Sequence, residues 1–220
     1  MKPTPANTLE AFCVIVNHGM ANRVLKVAKK FEITGGTVFL GTGTSKHSKL
    51  LNLLDLTDTR KEILLMLLDR QTIENSFEVI AEKFKFYKAN HGIAFTMPVD
   101  EILGSHLYPG PYEKKNEEET PMFKAIFIIV DKGKAEEVMT AANKAGARGG
   151  TIINARGSGI HETTKVFNME ISPEKEVVLI LAKKEDTEAI TTQIVDDLEI
   201  SKPGNGIIFV QDIGRAYGLH

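Results

Sequence analysis

The chain repeats itself at a constant spacing of 114 residues, and no other feature restricts its fold as tightly. Ala21-Asn22-Arg23-Val24 falls on Ala135-Glu136-Glu137-Val138, and Gly35-Gly36-Thr37 falls on Gly149-Gly150-Thr151. Lys61-Glu62 falls on Lys175-Glu176, and Gly92-Ile93-Ala94-Phe95 on Gly206-Ile207-Ile208-Phe209. The match needs no gap from Ala11/Ala125 to Met97/Gln211, with roughly a quarter of the positions identical. A unit of roughly 90 residues is too long for a solenoid repeat and large enough to hold a small core of its own. The expectation is a tandem duplication of one domain.

Within the second copy, Ala125 to Val130 is a short apolar run, as in a strand buried on both faces. Asp131-Lys132-Gly133 turns the chain into a helix over 134–145, with Val138, Ala141, Ala142 and Ala145 at helical spacing and Gly146 as its stop. Thr151-Ile152-Ile153 and Val177 to Leu181 read as strands, 187–198 as an amphipathic helix, and Gly206 to Val210 as a closing strand. The order βαββαβ is that of a ferredoxin-like split βαβ unit. The fold class expected is therefore α+β, two tandem ferredoxin-like domains at 9–103 and 123–220. Between them, 104–122 reads as a linker, with Pro109-Gly110-Pro111 and the charged stretch Glu113 to Glu119. Strands this apolar imply burial of both faces and hence association between sheets.

A net charge of −2 gives no electrostatic footprint for nucleic acid or an acidic membrane. The third strands also lack the aromatic platform that stacks RNA bases. The single cysteine, Cys13, sits in an apolar run opposite Phe127 of the second copy, which favours a packing role over a nucleophilic one. One cysteine allows no internal disulfide and fits a reducing cytosol, so a cytoplasmic protein is expected. Met1-Lys2-Pro3-Thr4-Pro5 lacks the apolar core of a signal peptide, and no apolar run reaches membrane-spanning length.

The stretch most able to carry chemistry is Arg156-Gly157-Ser158-Gly159-Ile160-His161, which opens a connection of about fifteen residues; connections of that length are often functional. Gly157 and Gly159 permit close approach of backbone N–H groups to an anion, and Arg156 adds a charge-assisted contact. The first copy keeps Gly41, Gly43 and His47, the last matching His161, but has Thr42 in place of Arg156. A second glycine cluster, Lys202-Pro203-Gly204-Asn205-Gly206, precedes the closing strand. The expected anion site lies between the Gly157-Ser158-Gly159 loop and a Gly204-Asn205-Gly206 turn of a neighbouring unit, with Arg156 and Lys202 as cations and His161 as a polar contact. Neither copy places His, Cys or carboxylates at metal-ligand spacing, so no metal site is expected.

Together the βαββαβ order, the helix-Gly-x-x-Gly-x-Thr entry to strand two, the Gly157-x-Gly159 loop start and Gly204-Asn205-Gly206-Ile207-Ile208-Phe209-Val210 resemble the PII signalling family of nitrogen regulatory proteins. The resemblance spans both halves. It implies a trimer of ferredoxin-like units, adenine nucleotide in clefts between units, and a long loop that docks on a target protein. Departures accompany it. Ile207 stands where the family has a lysine on ATP phosphates, with Ile93 there in the first copy. The arginines that follow the family's last strand are not reproduced, although Arg215 lies close, and His161 and His47 replace a ligand-contacting glutamine. No cofactor identity follows from these residues.

The chain shows neither a nucleophile with a partner base nor a Walker-type phosphate loop, and is read as a regulator rather than an enzyme. It would bind a small anionic effector at unit interfaces and act on a target protein, a transporter or an enzyme, in nitrogen or related metabolism. The competing readings are a divalent-metal-handling trimer of the same fold and an interaction module without a ligand. Three chains would supply six units, so a homotrimer is expected, with a dimer as runner-up.

Overall fold

The computed structural model describes residues 9–33, 35–45, 60–99, 122–156, 164–166, 169–171 and 174–219. Contacts divide the chain into two units. The first holds Met1–Phe39, Glu62–Pro121 and Asp212–His220; the second holds Leu40–Lys61 and Met122–Gln211.

In the first unit the order is β1 (Leu9–Asn17), α1 (Ala21–Ala28) with a 3-10 turn at Lys29–Phe31, β2 (Thr37–Ser45), β3 (Arg60–Asp69), α2 (Arg70–Phe84) and β4 (Ile93–Val99), with β2 ending in the second unit. The strands lie in the order β2-β3-β1-β4, and β4 carries on its outer side a late strand, β11 (Ala216–Tyr217). The second unit runs β5 (Phe123–Asp131), α3 (Ala135–Lys144), β6 (Gly149–Arg156), β9 (Glu174–Lys183), α4 (Lys184–Leu198) and β10 (Ile207–Asp212). Its strand order is β10-β5-β9-β6, followed by the end of β2. Counted within each unit, both orders are second, third, first, fourth, read from one side or the other. A mixed α/β fold of ferredoxin type is thus present. Between β6 and β9, β7 (Thr164–Val166) pairs with β8 (Met169–Ile171), so the long connection carries a short ribbon of its own.

Pattern explains each core. Along β1, alternate residues Phe12, Val14 and Val16 point at the helices. They meet Val24 and Val27 of α1 and Ile73, Phe77 and Ile80 of α2. Burying each large side chain contributes about 1.5–3 kcal/mol. The other face of β1, with Leu9, Ala11, Cys13 and Ile15, is buried too, which is why the run is continuously apolar. Burial pushes the Cys13 thiol up to about 12, so it stays protonated and inert near neutrality. In the second unit Ile126, Ile128 and Val130 meet Val138 and Ala142 of α3 and Ile190 and Ile194 of α4.

The turns agree between positions 114 apart. Left-handed backbone occurs at five such pairs: Gly19 and Gly133, Glu32 and Gly146, Lys85 and Glu199, Asn90 and Gly204, and Gly92 and Gly206. Gly92 and Gly206 are the most constrained. A Cβ there would lie 2.7 Å from the Ile15 carbonyl oxygen in one unit and 2.7 Å from that of Ile129 in the other.

The grouping of residues differs from the expected boundaries in two places, for a stated physical reason in each. Residues 40–45 join the second unit because β2 pairs with β6, Gly41 opposite Ile153 and Gly43 opposite Thr151. Residues 212–219 join the first unit because they dock on β4, with Ala216 opposite Phe95 and Tyr217 opposite Ala94. The expected linker lies outside the described residues except for Met122.

Candidate functional site

In the second unit the expected site maps to one end of the sheet. Arg156 is the last residue of β6 and pairs with Glu174, the first of β9. Lys132, on the turn after β5, donates its ammonium to the Glu174 carboxylate and its backbone N–H to the Glu174 carbonyl at 3.1 Å. The Lys132 hydrogen bond and charge, with a smaller share from Arg156, hold the Glu174 carboxyl below the usual carboxylate range. Lys175 pairs with Asp131 beside it. Cations and carboxylates therefore alternate along this rim, with Arg156 exposed at its β6 side.

The second glycine cluster reaches the same end of the sheet from β10. Gly206 abuts the Ile129 carbonyl, where only a hydrogen fits. Asn205 donates its amide to the carbonyls of Leu198 and Glu199, at 3.3 and 3.0 Å, and so seals the C-terminus of α4. Lys202 donates to Glu199 at 2.6 Å, and Gly204, between Lys202 and Asn205, takes a left-handed turn. Two strands, β5 and β9, separate Gly206 from Arg156 within this unit. At the usual strand spacing the gap is roughly 14 Å. The Gly204-Asn205-Gly206 turn and Arg156 of one unit therefore share a sheet end without converging on one small anion.

The other expected residues divide in two. Gly157, Ser158, Gly159, His161 and His47 lie outside the described residues. Gly41 and Gly43, expected among the ligand contacts of the first copy, both lie inside β2, paired with β6. A glycine in a strand marks close packing as readily as a loop, and Gly43 leaves room for the Lys61 side chain, whose Cε would lie 2.6 Å from a Cβ.

Two features escaped the sequence reading. Glu62 and Glu176 reach across from the third strands to the start of each unit's first helix. Glu62 accepts from the Ala21 N–H at 2.8 Å, and Glu176 from those of Gly133 and Ala135 at 3.0 and 2.9 Å. Burial pushes the Glu62 carboxyl up, but the N–H donors of Ala21, Gly19 and Met20 and the neighbouring His18 outweigh it, so its pKa is lowered. The repeated Lys-Glu pair was the available signal. The second feature is the docked C-terminal segment. Arg215 donates its N–H to Thr96 Oγ1 at 3.1 Å, and the Tyr217 hydroxyl donates to Glu78 at 2.7 Å. Arg215 thus sits at the β4 edge of the first unit.

Residues 123–219 match the sequence model of the nitrogen regulatory protein P-II family. The P-II match takes in Arg156, the long connection, Gly204 to Gly206, β10 and the C-terminal segment. Among solved structures, the chain is similar to PII of Arabidopsis thaliana bound to citrate, with 26% identity over 42% of this chain and 78% of that one, and a TM-score of 0.34. No curated protein matches the chain. Among the described residues, no group of three His, Cys, Asp or Glu is placed to hold a metal ion, and no helix is long and apolar enough to cross a membrane.

Proposed function

We propose that the chain is a PII-like regulator built from two copies of one ferredoxin-like unit. It binds a small anionic effector, an adenine nucleotide among the candidates, and regulates a target protein in nitrogen or related metabolism. The observation that carries this reading is the P-II match over 123–219, which includes the sheet end where Arg156 leaves β6. Because Arg156 and the Gly204-Asn205-Gly206 turn lie apart in one unit, a site using both takes them from two units. That requirement fits an oligomer, a homotrimer before a dimer.

Arg156 is the cation that distinguishes the second sequence copy, since Thr42 stands at the matching position of the first. A charge-assisted contact is worth about 1.5–3 kcal/mol. A thermal-shift screen with ATP, ADP, cyclic dinucleotides, 2-oxoglutarate and divalent metals identifies the effector, and calorimetry then compares variants. Arg156→Ala is expected to weaken binding roughly tenfold or more, and Thr42→Ala much less. Equal effects would move the site away from Arg156. Stabilisation by divalent metal alone would favour metal handling, and no stabilisation by any probe would overturn the effector reading.

A further inference from the structure

We propose that the first unit holds a small-molecule site of its own, a cleft between the end of α1 and the start of α2 that takes a free amino acid as its zwitterion. The site belongs to a different unit from the Arg156 rim and does not depend on the effector bound there.

The cleft measures about 590 Å³, inside the ordinary range for small-molecule sites. The 3-10 turn after α1 and the residue that follows it supply Lys30, Phe31 and Glu32. The start of α2 supplies Asp69, Gln71, Thr72 and Asn75. Asp69 is already engaged: one carboxylate oxygen accepts from the Thr72 N–H at 2.9 Å and the other from the Thr72 hydroxyl at 2.8 Å. This double contact caps α2 and fixes the carboxylate in the wall, so the site is built of side chains and not of an open helix end. Lys30, Glu32, Gln71 and Asn75 have no hydrogen-bonding or ionic partner among the described residues.

The second copy shows that the scaffold itself needs none of this lining. Lys144, which matches Lys30, donates to Asp197 at 2.7 Å. In the first copy Lys83 stands at the position of Asp197, a like charge in place of the counter-ion. Ala145, Gly146, Lys183 and Ala189 match Phe31, Glu32, Asp69 and Asn75. Glu32 is left-handed, with φ 63, where the second copy uses Gly146 with φ 101. Glycine is the usual residue for ending a helical turn in that conformation. A carboxylate side chain held there against backbone strain points to a use for the carboxylate.

The lining decides the class of ligand. Lys30 offers an ammonium and Glu32 a carboxylate, while the amides of Gln71 and Asn75 each donate and accept. A simple anion would be repelled by Glu32 and Asp69, and a simple cation by Lys30. A molecule that carries both charges close together satisfies both signs. Its carboxylate pairs with Lys30 and an amide N–H, and its ammonium with Glu32 and the remaining lone pairs of Asp69. The half-buried Phe31 ring offers an apolar surface to the rest of the molecule.

Calorimetry on the full chain, with each common amino acid offered singly at millimolar concentration, tests the assignment. For the tightest binder, the amine that lacks its carboxylate and the acid that lacks its ammonium are then offered alone. The amino acid is expected to bind, and each analogue to bind at least about tenfold more weakly, because each forfeits a charge-assisted contact. Lys30→Ala and Glu32→Gly should weaken binding by a similar factor. Lys26→Ala, which removes an exposed lysine of α1 outside the cleft, should match the wild type. Glu32→Gly also separates binding from folding: glycine relieves the left-handed backbone, so this variant should melt no lower than the wild type while binding less. Hydrogen exchange with and without the amino acid locates the site, with protection expected at 30–33 and 69–76. No heat with any amino acid, analogues that bind as well as the parent, a Glu32→Gly variant that binds like the wild type, or protection confined to other segments would each overturn the proposal.

Discussion

The two units follow the same backbone rules and part company at their rims. Left-handed turns recur at positions 114 apart, and so do the carboxylates that cap each first helix. The closing strand is paired on its outer side in the first unit and, among the described residues, not in the second. The charged end of the sheet differs as well. His18 lies 3.4 Å from Glu62 in the first unit, whereas Lys132 binds Glu174 at the corresponding turn of the second. In sequence, Thr42 of the first copy matches Arg156 of the second. What recurs is what backbone geometry compels; what differs is solvent-facing chemistry, where recognition can diverge at little cost to folding.

The largest expected effect tests the shared rules. At Gly92 and Gly206 the backbone has φ +126 and φ +148, and a Cβ would press on a carbonyl oxygen of the first strand. Gly92→Ala and Gly206→Ala should each destabilise by about 3 kcal/mol, combining left-handed strain with a backbone clash. Denaturant melts read with hydrogen exchange in each unit would check this. A loss in one unit only would show that the matching geometry does not carry matching energetics.

Next come the carboxylate caps. Glu62→Ala and Glu176→Ala should each cost about 2 kcal/mol, since both strip charge-assisted acceptors from N–H groups at a helix start. Acid titration tests the Glu62 cap. With its folded pKa lowered, Glu62 contributes fully above the ordinary carboxylate value of 4.5, and its contribution fades as pH falls below that value. Melting curves from pH 7 to 3 should therefore converge for the wild type and Glu62→Ala. Parallel curves would mean that the side chain acts by packing alone.

How far the sequence disclosed this arrangement depends on which forces leave a local pattern. The apolar run at Ala11 to Val16 and the helical spacing of Val138, Ala141 and Ala142 announced their elements, because burial of one face imposes a period. That β2 runs on through Gly41 and Gly43 was not legible, since glycine weakens a strand intrinsically and only the neighbouring strands supply the reason to extend it. The Glu62 cap joins residues 41 apart, so its repeat was visible and its purpose was not. The two-residue strand at Ala216–Tyr217 is too short to show any period. Of the expected site, Arg156 and the Gly204 to Gly206 turn stand at the ends of regular elements, where glycine and charge leave a local pattern, whereas the expected approach of that turn from a neighbouring unit is a matter of assembly, which leaves none.

The smallest expected effect probes the seal on β4. The Tyr217 hydroxyl donates to Glu78 at 2.7 Å in a partly exposed setting, so Tyr217→Phe should cost only about 0.5–1 kcal/mol after allowance for solvent screening. The ring stays on Phe77 and the β11–β4 bonds remain. The Glu78 hydrogen bond, then burial, then the carboxylates of Glu78 and Glu82 raise the Tyr217 pKa above its ordinary value of 10.0. A raised folded pKa means that the phenol's contribution is complete below pH 10 and is lost as pH climbs through the raised value. Hydrogen exchange at β4 should therefore quicken as pH climbs above 10 by more in the wild type than in Tyr217→Phe, once intrinsic exchange is divided out. If the two respond alike, the hydroxyl contributes nothing to the seal, and the contrast between the closing strands rests on the backbone pairing of residues 214–217 and on buried Ile213 alone.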